Sequence, residues 1–227
     1  MILTPRPLII FDLDGTLAET AEDILASVNH VTAPFGVEPL TMAEHRALVG
    51  FGGRHLIKEA FKGTKPALNA ANLETIFRDF IVRYEANVAQ HSTLFPGVLA
   101  NLHQLQREGY DLAICTNKSS GPCRSLLKAL QIHHFFCTVV ANDTFPWSKP
   151  DPRVLLATIE MAHANQAYTI MVGDSRSDID AARAAGIPVI AVDFGYSDVP
   201  IADLKPDKVV SNFDALQKAI CTLINSV

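Results

Sequence analysis

A short apolar run that ends in two aspartates, Leu8-Ile9-Ile10-Phe11-Asp12-Leu13-Asp14-Gly15-Thr16-Leu17, sets the terms for this chain. Four consecutive apolar residues, rich in Ile and Phe, predict a strand buried on both faces. Residues two apart on a strand share a face, so Asp12 and Asp14 project together while Leu13 points inward. Gly15 permits a sharp turn and a close approach of the backbone to whatever the carboxylates hold. Side by side, each aspartate disfavours ionisation of the other, which implies a cation or a proton shared at the strand tip.

The remainder of the chain is long enough, at 227 residues, for one large domain or two small ones. A net charge of −5 with no basic run gives no electrostatic case for nucleic acid or a membrane surface as partner. No apolar stretch approaches the ~20 residues that span a bilayer. The N-terminal apolar run is short and ends at Asp12, unlike a signal peptide, and the expected compartment is cytoplasmic. Cys115, Cys123, Cys137 and Cys221 are dispersed without a CxxC pair, so mostly buried, reduced thiols are expected rather than disulfides or zinc.

Residues 18–90 show helical periodicity and no strand pattern. Helices are predicted over 21–35, from a capping box at Thr41-Met42-Ala43-Glu44 to Gly50, over 54–61, and over 66–88. Beyond Phe95-Pro96-Gly97, strands and helices alternate: strands at 110–115, 137–141, 168–172, 189–192 and 208–210, with helices between them and a last helix capped by Ser211. Strands separated by helices imply right-handed crossovers and a parallel sheet covered on both faces, with ligands beyond the carboxyl ends of the strands. The expected fold is therefore α/β, a doubly wound parallel sheet (Rossmann-like core) formed by residues 1–17 and 91–227, with an all-helical insertion at 18–90.

On that topology the strand tips bring together Asp12, Asp14, Thr116, Asn117, Lys149, Asp174 and Asp178. A hard cation takes oxygen ligands, which suits Asp12 and Asp174. Lys149 supplies a second positive charge, and Thr116 and Asn117 can donate to phosphoryl oxygens. With one aspartate as nucleophile, the other can serve as general acid and then as base, so the inventory suits phosphoryl transfer with Mg²⁺. Simpler readings stand beside these: Asp-Gly is a common turn, Asp174 and Asp178 can cap and complement a helix, and Lys149 can be a surface lysine. The Gly50-Phe51-Gly52-Gly53-Arg54 loop is either a helix stop or a flap whose Arg54 recognises a substrate carboxylate.

Asp12-Leu13-Asp14-Gly15-Thr16, Thr116-Asn117, Lys149-Pro150 and Gly173-Asp174-Ser175-Arg176-Ser177-Asp178 resemble, in order and spacing, the four motifs of the haloacid dehalogenase superfamily. The resemblance implies that residues 18–90 are a mobile cap and that Asp12 forms an aspartyl-phosphate, with Asp14 as acid and base. It implies Mg²⁺ held by Asp12, the Asp14 backbone carbonyl and Asp174, with Asp178 in support, and phosphate held by Thr116, Asn117 and Lys149. An aspartate at position 14 is similar to the phosphatase and phosphomutase branches. The stretches 49–54, 173–176 and 194–196 are similar to those of bacterial phosphoglycolate phosphatases, which implies a small phosphorylated metabolite, 2-phosphoglycolate first, as partner of a monomer or weak homodimer. A β-phosphoglucomutase-like or pyrophosphatase reaction on the same core, or a non-catalytic phosphometabolite-binding module, are the rival expectations.

Overall fold

Strand β1 (Leu8–Phe11) is buried along its whole length in the computed structural model, which describes residues 6–64 and 67–224. The chain then forms β2 (Ala18–Glu19) and helices α1 (Ala21–Thr32), α2 (Met42–His45), α3 (Gly53–Ala60) and α4 (Ala70–Ala86). It returns through β3 (Thr93–Leu94) and continues as α5 (Val98–Arg107), β4 (Asp111–Cys115), α6 (Ser120–Ala129), β5 (Thr138–Val140) and α7 (Arg153–Met161). After these come β6 (Thr169–Gly173), α8 (Arg176–Ala185), β7 (Val189–Val192), β8 (Lys208–Val210) and α9 (Leu216–Ile224).

Six strands form one parallel sheet in the order β5-β4-β1-β6-β7-β8. Because side chains alternate across a strand, Ile9 and Phe11 pack on the side of α5, α6 and α9, and Leu8 and Ile10 on the side of α7 and α8. This is the doubly wound α/β sheet expected from the alternation of strand and helix. The chain winds outward from β1 through β4 to β5, crosses back, and winds the other way from β6. The reversal lies between β1 and β6, so a crevice opens beyond the carboxyl ends of those two strands.

Helices α1, α3 and α4 pack on one another, burying Ile24, Leu25, Val28, Leu56, Ile57, Ile76 and Phe80. Residues 18–90 also contain a strand that the sequence pattern does not show. Ala18 pairs with Leu94 and Glu19 with Thr93, antiparallel, so the outgoing and returning chain run side by side. Two residues are too few for a periodicity to register. The capping box at Thr41 does not form: its hydroxyl donates to Glu44 (3.1 Å) and its N–H goes to His45 Nδ1 (3.0 Å). The helix accordingly lasts only over Met42–His45 and tightens into a 3₁₀ segment, Arg46–Phe51. Pro66, the expected start of the long helix, lies outside the described residues, and Asn69 caps α4 by accepting from the Asn72 N–H (2.8 Å). Near the C-terminus Asn212 replaces Ser211 as cap, accepting from the Ala215 N–H, while the Ser211 hydroxyl donates to Asp193. Of the four free cysteines, Cys115 and Cys123 are buried but Cys137 and Cys221 are exposed.

Tyr196 locks the entry to α1. Thr20 occupies the N-cap position, but its hydroxyl donates to Asp14 (2.8 Å) and is lost to the helix. The Tyr196 hydroxyl takes over, accepting from the Thr20 N–H (2.6 Å) and the Ala21 N–H (3.0 Å) and donating to Glu19 (2.6 Å). Without that hydroxyl the buried Thr20 N–H has no acceptor, at a cost of about 1–3 kcal/mol, while the Ala21 N–H keeps Glu19 Oε1 (3.1 Å). Tyr196→Phe is therefore expected to lower the melting temperature, by roughly 2–4 °C per kcal/mol in a chain of this size. An unchanged thermal unfolding curve would show that the hydroxyl is dispensable.

Candidate active site

The crevice between β1 and β6 holds a cavity of about 270 Å³ lined on the sheet side by Asp12, Asp14, Thr116, Asn117, Lys118, Lys149 and Asp174. Its opposite wall comes from the helical segment: residues 50–54, Phe77, Phe80 and Tyr84. Asp12 follows β1 directly, its N–H still donating to Val172 of β6 (2.9 Å). The chain then turns tightly through Gly15, whose φ of +83° belongs to the left-handed region that favours glycine. A Cβ on Gly15 would lie 2.3 Å from Asp174 Oδ2, so no other residue fits against that carboxylate.

Asp174 follows β6 directly and is almost fully buried; it accepts from the Thr16 hydroxyl (2.7 Å) and the Tyr196 N–H (2.7 Å). Asp178, in the first turn of α8, accepts from the Ser175 N–H (3.0 Å), the Ser175 hydroxyl (2.6 Å) and the Asp174 N–H (3.2 Å) through one oxygen. Its other oxygen takes the Lys149 ammonium at 2.6 Å. The helix-capping role and the place in the site thus coexist in this one residue.

Carboxylate oxygens of Asp12, Asp174 and Asp178 all lie within 4.8 Å of one another. Lys149 Nζ is 3.0 Å from Asp12 Oδ1, close enough for charge pairing, yet that buried oxygen has no hydrogen-bond partner of adequate geometry. Hard oxygen donors converging on a point, one of them unsatisfied, suit a hard divalent cation. The electrostatics agree. Burial pushes the Asp12 carboxyl up to about 6, with Asp178 and Asp14 adding to the rise and Lys149 opposing it. Burial, then Asp12 and Asp178, hold Asp174 well above the usual carboxylate range. Burial disfavours the charge on Lys149, but Asp12 and Asp178 override it and raise the ammonium above its ordinary value. The three carboxylates outnumber the one ammonium among them, and a cation would redress the balance.

Thr116 follows β4, buried, with its hydroxyl oxygen accepting from the Lys118 N–H (3.2 Å). The Asn117 amide donates to the Lys149 carbonyl (2.9 Å), tying the β4 loop to the loop that carries the lysine. The Asp14 side chain stands apart from the acidic trio, paired with Lys118 and Thr20. Arg54 lines the cavity but is held by Glu74 through two bonds (3.0 and 2.9 Å) and lies over the Phe77 ring at 3.6 Å.

Sequence reasoning missed Lys118 and Tyr84. Lys118 Nζ is 3.0 Å from both oxygens of Asp14 and donates to the Tyr84 hydroxyl at 2.5 Å, with the side chain almost buried. Adjacency to Thr116-Asn117 was the available signal for Lys118. Tyr84 offered none, because its place on the apolar stripe of α4 is what core packing alone would produce.

A family model described as haloacid dehalogenase-like hydrolase matches residues 9–192. The chain belongs to the haloacid dehalogenase-like hydrolases. It is an enzyme of that class, as the motif resemblance implied. Among relatives of this hydrolase, a phosphoglycolate phosphatase of Mesorhizobium japonicum is 43% identical over 211 residues, 93% of each chain. One of Agrobacterium fabrum is also 43% identical, over 94% of this chain and 92% of its own. The fold of the hydrolase is similar to a crystal structure described as a predicted phosphoglycolate phosphatase from Haemophilus somnus. That similarity has a TM-score of 0.88 and 30% identity, and covers 96% of this chain and 99% of that one. No helix among the described residues is long and apolar enough to cross a membrane.

Proposed function

We propose that this hydrolase is a Mg²⁺-dependent phosphatase that cleaves a small phosphorylated acid, 2-phosphoglycolate first, through an aspartyl-phosphate on Asp12. The observation that carries the reading is Asp12 itself: buried, beside Lys149, lining the cavity, with one oxygen unpartnered. Asp12 and Asp174 would hold the metal, with Asp178 in support and the Asp14 backbone carbonyl as a further ligand. When bound, Mg²⁺ neutralises the repulsion between a carboxylate and a phosphate dianion.

An Asp12 oxygen bonds to phosphorus as the bond from phosphorus to the ester oxygen breaks, and Asp14 gives its proton to the departing alkoxide. Asp14 then takes a proton from water, whose oxygen bonds to phosphorus as the bond to Asp12 breaks. Inorganic phosphate leaves and both aspartates return to their starting state. Lys149 stays charged throughout and, with Thr116 and Asn117, offers donors to the phosphoryl oxygens. Residues 18–90 act as a cap on the core of 1–17 and 91–227, excluding water through the wall that carries residues 50–54, Phe77 and Phe80. The names of the relatives at 43% identity support the substrate.

A phosphate-release assay over 2-phosphoglycolate, β-glucose 1-phosphate and pyrophosphate, with Mg²⁺ and a chelator control, tests the reading. Fastest release from 2-phosphoglycolate, lost with the chelator, is expected. Conversion of the sugar phosphate without net phosphate release would favour a mutase instead, and binding without release a non-catalytic module.

A further inference from the structure

Lys118 stands where the leaving group must emerge. Phosphorus lies against Asp12 and Lys149 in the phosphatase reading, on which this inference rests, so the ester oxygen faces Asp14. Lys118 Nζ is 3.0 Å from each Asp14 oxygen, and Asp14 Oδ1 also accepts from the Thr20 hydroxyl. Both oxygens of the acid are thereby engaged by donors, and neither is free for an ester oxygen. An ammonium has only three protons, and Lys118 already gives one to Tyr84. An anion that takes hold of Lys118 therefore does so partly in place of Asp14.

The geometry points to Lys118 as the residue that recognises a carboxylate attached to the ester carbon. The other two cations of the cavity are committed elsewhere. Lys149 is shared by Asp12 and Asp178 at the phosphoryl end. Arg54 is clamped by Glu74 and half exposed, 47% against 4% for the Lys118 side chain. Lys118 is the buried cation beside the acid, and its other partner is a neutral phenol. A substrate carboxylate meets it in a desolvated place between the β4 loop and the α4 face that carries Phe80 and Tyr84, where a charge pair discriminates strongly. An ester without the carboxylate leaves Lys118 on Asp14 and forgoes that charge pair.

The test compares kcat/KM for 2-phosphoglycolate with that for ethyl phosphate, which carries a methyl group in place of the carboxylate. In the wild type the carboxylated ester is expected to be preferred. In Lys118→Met the ratio of the two is expected to fall by about 30-fold or more. Lys118→Gln, which keeps a donor for Asp14 and Tyr84 without the charge, is expected to show the same fall and stands in should the methionine variant not fold. Any effect of either variant on Asp14 alone strikes both esters and cancels in the ratio. A ratio unchanged in both variants, or a wild-type ratio near one with phosphate still released, would overturn the assignment of Lys118 and leave the phosphatase reading intact. No phosphate from either ester would overturn the phosphatase reading and this inference with it.

Discussion

Asp12→Asn is expected to abolish phosphate release, lowering kcat by at least about 10⁴-fold, the scale on which removing a nucleophile acts. An amide has nearly the shape of the carboxylate but does not attack phosphorus. The variant keeps the main-chain bond from residue 12 to Val172 and can turn its amide oxygen toward Lys149, 3.0 Å away. Burial already works against the charge on Asp12, so neutralising it should leave the metal-free fold as stable as before, or more so. Circular dichroism and thermal unfolding of the variant check that its fold persists, and a steady-state assay reads the loss. Turnover within about tenfold of wild type would refute Asp12 as nucleophile.

Removing Mg²⁺ should be as damaging to activity, and should also be visible without any substrate. A ligand at one hundred times its dissociation constant stabilises the folded state by about 2.7 kcal/mol. In a chain of this size that raises the melting temperature by roughly 5–10 °C. The increment should shrink as the solution is acidified, because protons compete with the metal for Asp12, whose carboxyl is pushed up to about 6. The sign for the metal-free chain is the opposite of the usual carboxylate case. A raised carboxylate means that the folded state binds the proton more tightly than the unfolded one, so this group destabilises the fold above about pH 6. That penalty lifts as pH falls through about 6 toward 3.8, the ordinary value of an aspartate. Thermal scans between pH 5 and pH 8, with Mg²⁺ and with a chelator, give both slopes. A Mg²⁺ increment that is absent at pH 8, or that grows on acidification, would refute metal binding at the Asp12, Asp174 and Asp178 cluster.

Much of this molecule was legible one segment at a time. The apolar run of β1 and the Asp-x-Asp-Gly that follows are local facts, because burial on both faces selects such residues and a tight turn selects Gly15. The alternation of strand and helix after residue 95 implied the parallel sheet for the same reason: each element carries its own period. The failures were also local in kind. The hydroxyl of Thr41 had a competing partner in Glu44, and the two-residue strand Ala18–Glu19 was too short to leave a pattern. What tertiary structure alone decided is the company each residue keeps. Only the strand order puts β6 beside β1, and with it Asp174 beside Asp12 across the crevice. Only the docking of α4 brings Tyr84 to Lys118, and only the fold of the later loop brings Tyr196 to the start of α1. Periodicity reports which side of an element is buried, because that depends on the residue's own neighbours along the chain. It carries no record of which distant element does the burying, and the charge pairs of this site are set by that second choice.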